Sequence, residues 1–198
     1  MSSLISLLID QLGGDAVSDI AGQIGGDGES TQRAIAAALP LLLGALTRNS
    51  SSSEGAASLH RALARDHDGS LLDDLGGYLK KPDTQTGDGI LRHALGDRRG
   101  TVEKGLSRSS GIDPAAAGKL VAMLAPVVMG ALGKARREHD LDEAGLAGML
   151  NAEQSLAEAA APELKGLGRL LDRDSDGDLT DDLLDIGGGL VGKLFGGR

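Results

Sequence analysis

The sequence lacks cysteine and tryptophan, and it has one tyrosine and one phenylalanine among its 198 residues. Without cysteine there can be no disulfide, no thiolate metal ligand and no cysteine nucleophile. The scarcity of aromatic rings removes the stacking surfaces on which most single-strand nucleic-acid binders depend. A formal net charge of −9 also argues against binding to nucleic-acid phosphates. We therefore expect no nucleic-acid partner.

Long hydrophobic runs are scarce as well. The apolar stretch of residues 34–46 contains Pro40 and Gly44 and is too short to cross a bilayer. The first ten residues have no basic segment, and Asp10 interrupts their apolar run. This pattern predicts a short amphipathic helix and not a signal peptide. We expect a soluble, cytoplasmic protein.

Leucine, glycine and alanine dominate the composition, with 34, 31 and 26 residues. Apolar residues recur at helical spacing, as at Leu4, Leu8 and Leu12. Gly13 and Gly25 are placed to end helices. Alternating runs of β-branched and aromatic residues, which are typical of strands, are absent from the sequence. The sequence predicts an all-α fold of short helices joined by Gly-rich turns and Asp-Gly loops.

The sequence also shows internal similarity between its first and second halves. Residues 39–46 (LPLLLGAL) match residues 125–132 (APVVMGAL) at an offset of 86, which also pairs Gly25 with Gly111 and Asp27 with Asp113. Further on, residues 66–75 match residues 174–183, and residues 90–96 match residues 190–196. Matches in the same order predict an internal duplication. The alternative is coincidence within a composition biased toward leucine, alanine and glycine.

The duplication suggests boundaries along the chain. Residues 1–98 form a first helical half and residues 99–150 begin the second. Residues 151–171 have no counterpart and are predicted to be a helical insertion or linker. Residues 172–198 hold an Asp-rich loop and a Gly-rich helix. Pro40 and Pro126 lie in apolar helical runs, where each either kinks a helix or separates two short helices.

An Asp-rich loop carries the strongest chemical motif. Calcium-binding loops of the EF-hand type supply oxygen ligands from alternate residues around a tight glycine turn. Residues 172–183 (DRDSDGDLTDDL) fit positions 1, 3, 5 and 6 of such a loop, but Leu183 replaces the glutamate of position 12. The alternative is an Asp-Gly turn in which Asp178 caps the next helix. The candidate calcium ligands are Asp172, Asp174, Asp176, Asp178, Asp181 and Asp182.

A weaker copy of this loop lies in the first half. Ala64 stands where its first ligand should be, and the favoured alternative is that Ser70 caps a helix. Asp88, in a further Asp-Gly pair, is also predicted to be a helix cap. The candidate ligands of this second, weaker calcium site are Asp66, Asp68, Asp73 and Asp74.

The sequence offers little for catalysis. Its four histidines share no metal-binding spacing, and no nucleophile elbow or phosphate-binding loop is present. We expect no enzyme, with a hydrolase as a remote alternative. The histidines are His60, His67, His93 and His139.

Charge is unevenly distributed along the chain. Residues 90–140 carry nine basic and five acidic side chains. The favoured interpretation is ordinary solvated helix faces. A continuous basic band is the alternative, and it would favour head-to-tail self-association into a homo-oligomer. The basic side chains that could form this band are Arg98, Arg99, Lys104, Arg108, Lys134, Arg136 and Arg137.

The alternative function is a role at the membrane surface through residues 186–198, which are rich in glycine and leucine. Only Lys193 and Arg198 would assist such binding by their charge.

Several segments together resemble the bacterial YidB-like family, a domain family of unknown function. They are the N-terminal helix ending in Gly13-Gly14, and residues 38–46, 68–77, 87–96 and 123–132. The resemblance covers roughly residues 1–150, and it implies a small helical soluble protein with no assigned catalytic residue. The sequence as a whole predicts a non-catalytic structural, interaction or self-assembly protein. A response to calcium is predicted from the spacing of the Asp-rich loop alone.

Overall fold

The computed structural model describes residues 3–160, and within this range it contains helices and no strand. The predicted all-α fold is confirmed. Two 3₁₀ helices, Ser70–Asp74 and Gly96–Arg98, lie between the α-helices. The α-helices are α1 (Leu4–Gln11), α2 (Asp15–Ile24), α3 (Gly28–Asn49), α4 (Ser53–Arg65), α5 (Leu75–Lys80), α6 (Thr84–Ala94), α7 (Arg99–Ser110), α8 (Pro114–Glu138) and α9 (Glu143–Ala160).

Caps set many helix ends. The Asp27 carboxylate accepts the amide of Ser30 at the start of α3, and the Asp113 carboxylate accepts the amide of Ala115 at the start of α8. These bonds satisfy amides that have no partner inside the helix. The preceding helices, α2 and α7, end at Gly25 and Gly111, whose φ angles are 73° and 84°. Glycine takes this left-handed conformation without strain.

Two predicted caps are wrong. Helix α6 begins at Thr84 because the Asp83 carboxylate accepts the amide of Thr86. Asp88 therefore lies inside α6, where it pairs with Arg99 at 2.7 Å. Ser70 does not cap its 3₁₀ helix either, since its amide donates to the Asp68 carboxylate at 3.0 Å.

Helices α3 and α8 form the centre of the protein, and both run through their prolines without a break. In α8, every residue from Leu120 to Gly133 is buried. This helix is long and apolar enough to cross a membrane, with a mean hydropathy of 1.8, but 83% of its apolar window is buried inside the described protein. Such burial is typical of a core helix.

The helices α1–α4 and α6–α9 follow one another in the same order, with an Asp cap at the start of both α3 and α8. Their lengths differ, since α4 has 13 residues and α9 has 18. The last helices of the two sets exchange partners, since α4 packs against α8 and α9 packs against α3. Helices α2 and α7 each pack against both central helices. Arg33 of α3 donates to the carbonyl of Ser110 at the end of α7. Lys119, its counterpart 86 residues later, donates from α8 to the carbonyl of Gln23 near the end of α2. The duplication itself stays a prediction.

The predicted boundaries can be compared with the helices. The boundary after residue 98 coincides with the start of α7. The boundary after residue 150 falls inside α9, which continues through Asn151 to Ala160. The Ser-rich linker between α3 and α4 is short, because Ser50 ends one helix and Ser52 caps the next. Most of the predicted linker 151–171, together with residues 172–198, lies outside the described residues.

Helices α6 and α8 approach closely at a proline. Pro126 has no N–H, so it cannot donate to the carbonyl of Ala122 one turn earlier. Gly87 of α6 lies directly against this carbonyl, and a Cβ atom there would overlap the carbonyl oxygen. The close approach of α6 to the core helix therefore depends on a glycine at position 87.

We expect Gly87→Ala to destabilise the protein by about 1–3 kcal/mol, because α6 must move away from the Ala122 carbonyl. Gly89→Ala is the matched control, since nothing among the described residues lies within 4 Å of a Cβ at that position of the same helix. The control should stabilise the protein by roughly 0.5–1 kcal/mol through helix propensity. Urea unfolding followed by circular dichroism measures both. Equal stability of the two variants would contradict the close approach.

Candidate binding groove

An open groove of about 1180 Å³ lies between α4 and α6. Its floor is apolar and comes from four helices, with Leu46 of α3, Leu59 of α4, Ala94 of α6 and Met129 of α8 all buried. Residues so far apart in the sequence meet here because α4 packs on α8 while α6 packs on both α3 and α8. A concave, apolar floor of this size is typical of a site that binds apolar groups.

Polar side chains form the rim of the groove. Asn49 at the end of α3 donates its amide to the carbonyl of His93 at 2.6 Å, which ties α3 to the end of α6. The His93 ring is fixed by a hydrogen bond of 2.9 Å between its Nδ1 and the Gly89 carbonyl. On the α4 side, Arg65 binds the Asp66 carboxylate at 2.7 Å. The rim is thus of mixed charge and partly held in place.

His67 lies at one end of the groove. It is partly buried, and this burial lowers the pKa of its imidazole below the ordinary value of 6.5, while the adjacent Asp66 carboxylate opposes the effect. No group of three or more histidine, aspartate and glutamate side chains that could hold a metal ion occurs within residues 3–160. The floor of the groove offers apolar surface and its rim offers scattered polar groups, an arrangement typical of binding sites.

The structure does not bring the weaker set of predicted calcium ligands together. The Asp66 carboxylate is paired with Arg65, and this hydrogen bond lowers its pKa. The Asp68 carboxylate accepts the amide of Ser70, which lowers its pKa, and lies 3.8 Å from Arg137. Asp74 accepts the amide of Gly77 at 3.0 Å, and Asp73 is exposed.

The six ligands of the stronger predicted site cannot be placed. Asp172, Asp174, Asp176, Asp178, Asp181 and Asp182 all lie outside the described residues. The calcium site that they form stays a prediction.

Some of the basic side chains singled out in the sequence form ion pairs with neighbouring acidic side chains. Arg99 binds Asp88 and Glu103, both at 2.7 Å. Lys134 lies 4.0 Å from Glu138 on the same helix. These pairs favour solvated helix faces over a continuous basic band. Large exposed apolar side chains occur on two helices in contact, at Leu7 and Ile9 of α1 and Leu156 of α9.

Sequence reasoning did not find the groove. Its floor residues fit the ordinary apolar pattern of four separate helices, so no local signal distinguishes them from other core residues. The polar rim residues Asn49 and His93 meet through a contact between α3 and α6 that only the tertiary structure creates.

The fold and the groove define a small all-helical bundle protein with an open groove that has an apolar floor. The chain belongs to the family described as a bacterial protein of unknown function (DUF937), whose model matches residues 6–135. YidB-like is the known member of that family, so the resemblance found in the sequence is confirmed. No curated protein and no solved structure matches the chain.

The burial of His67 leads to a prediction about pH. Because the folded protein disfavours the charged imidazole, the pKa of His67 should lie below that of a histidine in the unfolded chain. As pH falls through 6.5, the unfolded state then takes up the proton first, and the folded state loses stability. We expect His67→Gln to lose less stability than the unchanged protein between about pH 7.5 and 5.5. Urea unfolding at several pH values measures this, and His139→Gln on the exposed end of α8 is the control.

Nuclear magnetic resonance gives a direct reading of the same imidazole. The Hε1 signal that is missing from the spectrum of His67→Gln belongs to His67, and its position against pH follows the protonation of that imidazole. A midpoint at or above 6.5 for that signal would contradict the effect of burial.

Proposed function

We propose that this protein is a non-catalytic, cytoplasmic interaction protein that binds an amphipathic helix of a protein partner in the α4–α6 groove. One observation carries the proposal, namely an open groove of about 1180 Å³ with an apolar floor and a rim of mixed charge. Two helices form its walls. A third helix between them would bury its apolar face by the same ridge-and-groove contacts that hold helix bundles together.

The chemistry of the groove supports binding over catalysis. Its floor side chains, Leu46, Leu59, Ala94 and Met129, cannot transfer protons or act as nucleophiles. Its two histidines differ in role, since His93 is held by the Gly89 carbonyl and His67 favours the neutral form. The rim carries both signs of charge, through Arg61 and Glu54 among others, so it suits a partner helix flanked by both signs of charge.

A labelled model helix tests the groove. The probe is a fluorescein-labelled 14-residue amphipathic peptide with leucines at i, i+4, i+7 and i+11, and a peptide of the same composition with the leucines scattered around the helix is its control. We expect micromolar binding of the first peptide, and binding about tenfold weaker by Gly89→Trp. Gly89 lines the groove, and nothing among the described residues lies within 4 Å of a Cβ there.

Gly100→Trp is the matched variant. Gly100 is exposed at the start of α7, does not line the groove and also has space for a side chain. It should bind the peptide like the unchanged protein. Equal binding of both peptides, or unchanged binding by Gly89→Trp, would contradict the proposed groove function.

We further propose that calcium binds the Asp-rich loop at residues 172–183. The support is its sequence, which places aspartates at positions 1, 3 and 5 and a glycine at position 6 of an EF-hand-type loop. The missing glutamate of position 12 predicts weak binding, with a Kd of about 0.1–1 mM. Self-association into a homo-oligomer stays a prediction from the sequence.

Calorimetric titration of the full chain with calcium chloride tests this site. We expect binding heat that disappears in the double variant Asp174→Asn and Asp176→Asn. The matched double variant, Asp66→Asn and Asp68→Asn, should keep the heat, because those carboxylates are bound to Arg65 and to the Ser70 amide. Absence of heat at millimolar calcium would contradict the calcium proposal and leave the groove proposal unaffected.

A further inference from the structure

The two central helices differ in how completely they are covered. On α8, the face formed by Pro126 and Gly130 is buried. The corresponding face of α3, formed by Pro40, Leu41 and Gly44, is only partly buried. Among the described residues, nothing lies within 4 Å of a Cβ placed on Gly44. The α3 face therefore has room for a covering segment, whereas the corresponding face of α8 is already covered by one.

The segment that covers α8 is known from the structure. It directly follows α4 and spans residues 66–75. A Cβ placed on Gly130 would lie 3.9 Å from the Cβ of Leu71 and 3.8 Å from the Cγ of Leu72. One turn further along α8, Gly133 lies against the carbonyl of His67, and a Cβ there would overlap it. Small residues on α8 thus allow an Asp-Gly loop to lie directly on the helix.

A matching segment exists beyond α9. Residues 174–183 (DSDGDLTDDL) repeat the pattern of residues 66–75 (DHDGSLLDDL), so Gly177 corresponds to Gly69 and Leu179 to Leu71. The helix before each segment is placed alike. The chain leaving α4 contacts α8 at Gly133. Helix α9 contacts α3 at Thr47, which corresponds to Gly133 at the offset of 86 residues. There the Thr47 hydroxyl lies 3.4 Å from the carbonyl of Leu150.

The chain is long enough to return to α3. Helix α9 continues ten residues past Leu150 to Ala160, which carries the chain about 15 Å further. The 13 residues 161–173 can span up to about 43 Å when extended. The connection therefore has ample length to place residues 174–183 on the α3 face within the same chain.

We propose that residues 174–183 pack on the face of α3 formed by Pro40, Leu41 and Gly44, as residues 66–75 pack on α8. Leu179 then lies over Gly44 in the way that Leu71 lies over Gly130. This inference does not depend on the α4–α6 groove or on calcium, since it rests on the partly buried α3 face and on the repeated segment.

Cysteine pairs test the contact in the full chain, because the sequence contains no cysteine of its own. Disulfides form between residues whose Cβ atoms are about 3.5–4.5 Å apart. The pair Gly130→Cys with Leu71→Cys fits this range at 3.9 Å and is the positive control. We expect the pair Gly44→Cys with Leu179→Cys to form an intramolecular disulfide under mild oxidation in the presence of EDTA.

The pair Gly148→Cys with Leu179→Cys is the negative control. Gly148 is exposed on α9 and has space for a side chain, and it is much nearer to Leu179 in the sequence than Gly44 is. Random contact would therefore favour Gly148, because shorter loops close more readily. Docking on α3 predicts the opposite, with the Gly44 pair oxidising about tenfold faster.

Each result decides the proposal. Faster intramolecular oxidation of the Gly44 pair supports it, provided that circular dichroism shows all variants to be folded like the unchanged protein. Equal or slower oxidation than the Gly148 pair would overturn it when the Gly130 pair oxidises normally. Covalent dimers on a non-reducing gel would also overturn it, because the segment would then belong to a second copy of the chain.

Discussion

The complete burial of α8 is the constraint on which the rest of the structure depends. From Leu120 to Gly133 this helix has no face open to solvent, so it needs neighbours on every side. Helices α3, α6 and α7 supply most of them, and the Asp-Gly loop after α4 supplies another. Because the chain has so few aromatic side chains, close approach through glycine and alanine takes the place of bulky side chains in filling this interior.

The proline of each central helix shows how this packing works. Pro126 frees the carbonyl of Ala122, and Gly87 brings α6 directly against it. Pro40 frees the carbonyl of Ala36 in the same way, but Ala36 is exposed. Both helices continue past their prolines, which shows that tertiary packing outweighs the loss of one helical hydrogen bond in each. The two helices therefore differ in which segments pack against the carbonyl that each proline leaves without a helical partner.

Much of the fold could be predicted from the sequence because its signals are local. Asp27 and Asp113 cap helices, and Gly25 and Gly111 end them, through interactions within a few residues. The prediction for Asp88 is wrong because Asp83, which lies earlier in the same polar stretch, caps α6 instead. The continuation of α9 past residue 150 was missed because the comparison with the first half ends there. Local patterns do not reveal how far a helix extends beyond its repeat. The groove could not be predicted, since it exists only where α4 and α6 meet above α3 and α8.

Two helical glycines occupy positions where neither a turn nor a close neighbour requires glycine. Gly89 lines the groove and Gly44 lies on the partly buried face of α3, and each has space for a side chain among the described residues. A helical glycine lowers helix stability by about 1 kcal/mol relative to alanine. At Gly87 and Gly130, where the helix face is covered, glycine allows the backbone of a neighbouring segment to approach closely. By analogy, the glycines at positions 44 and 89 favour close neighbours on their faces as well.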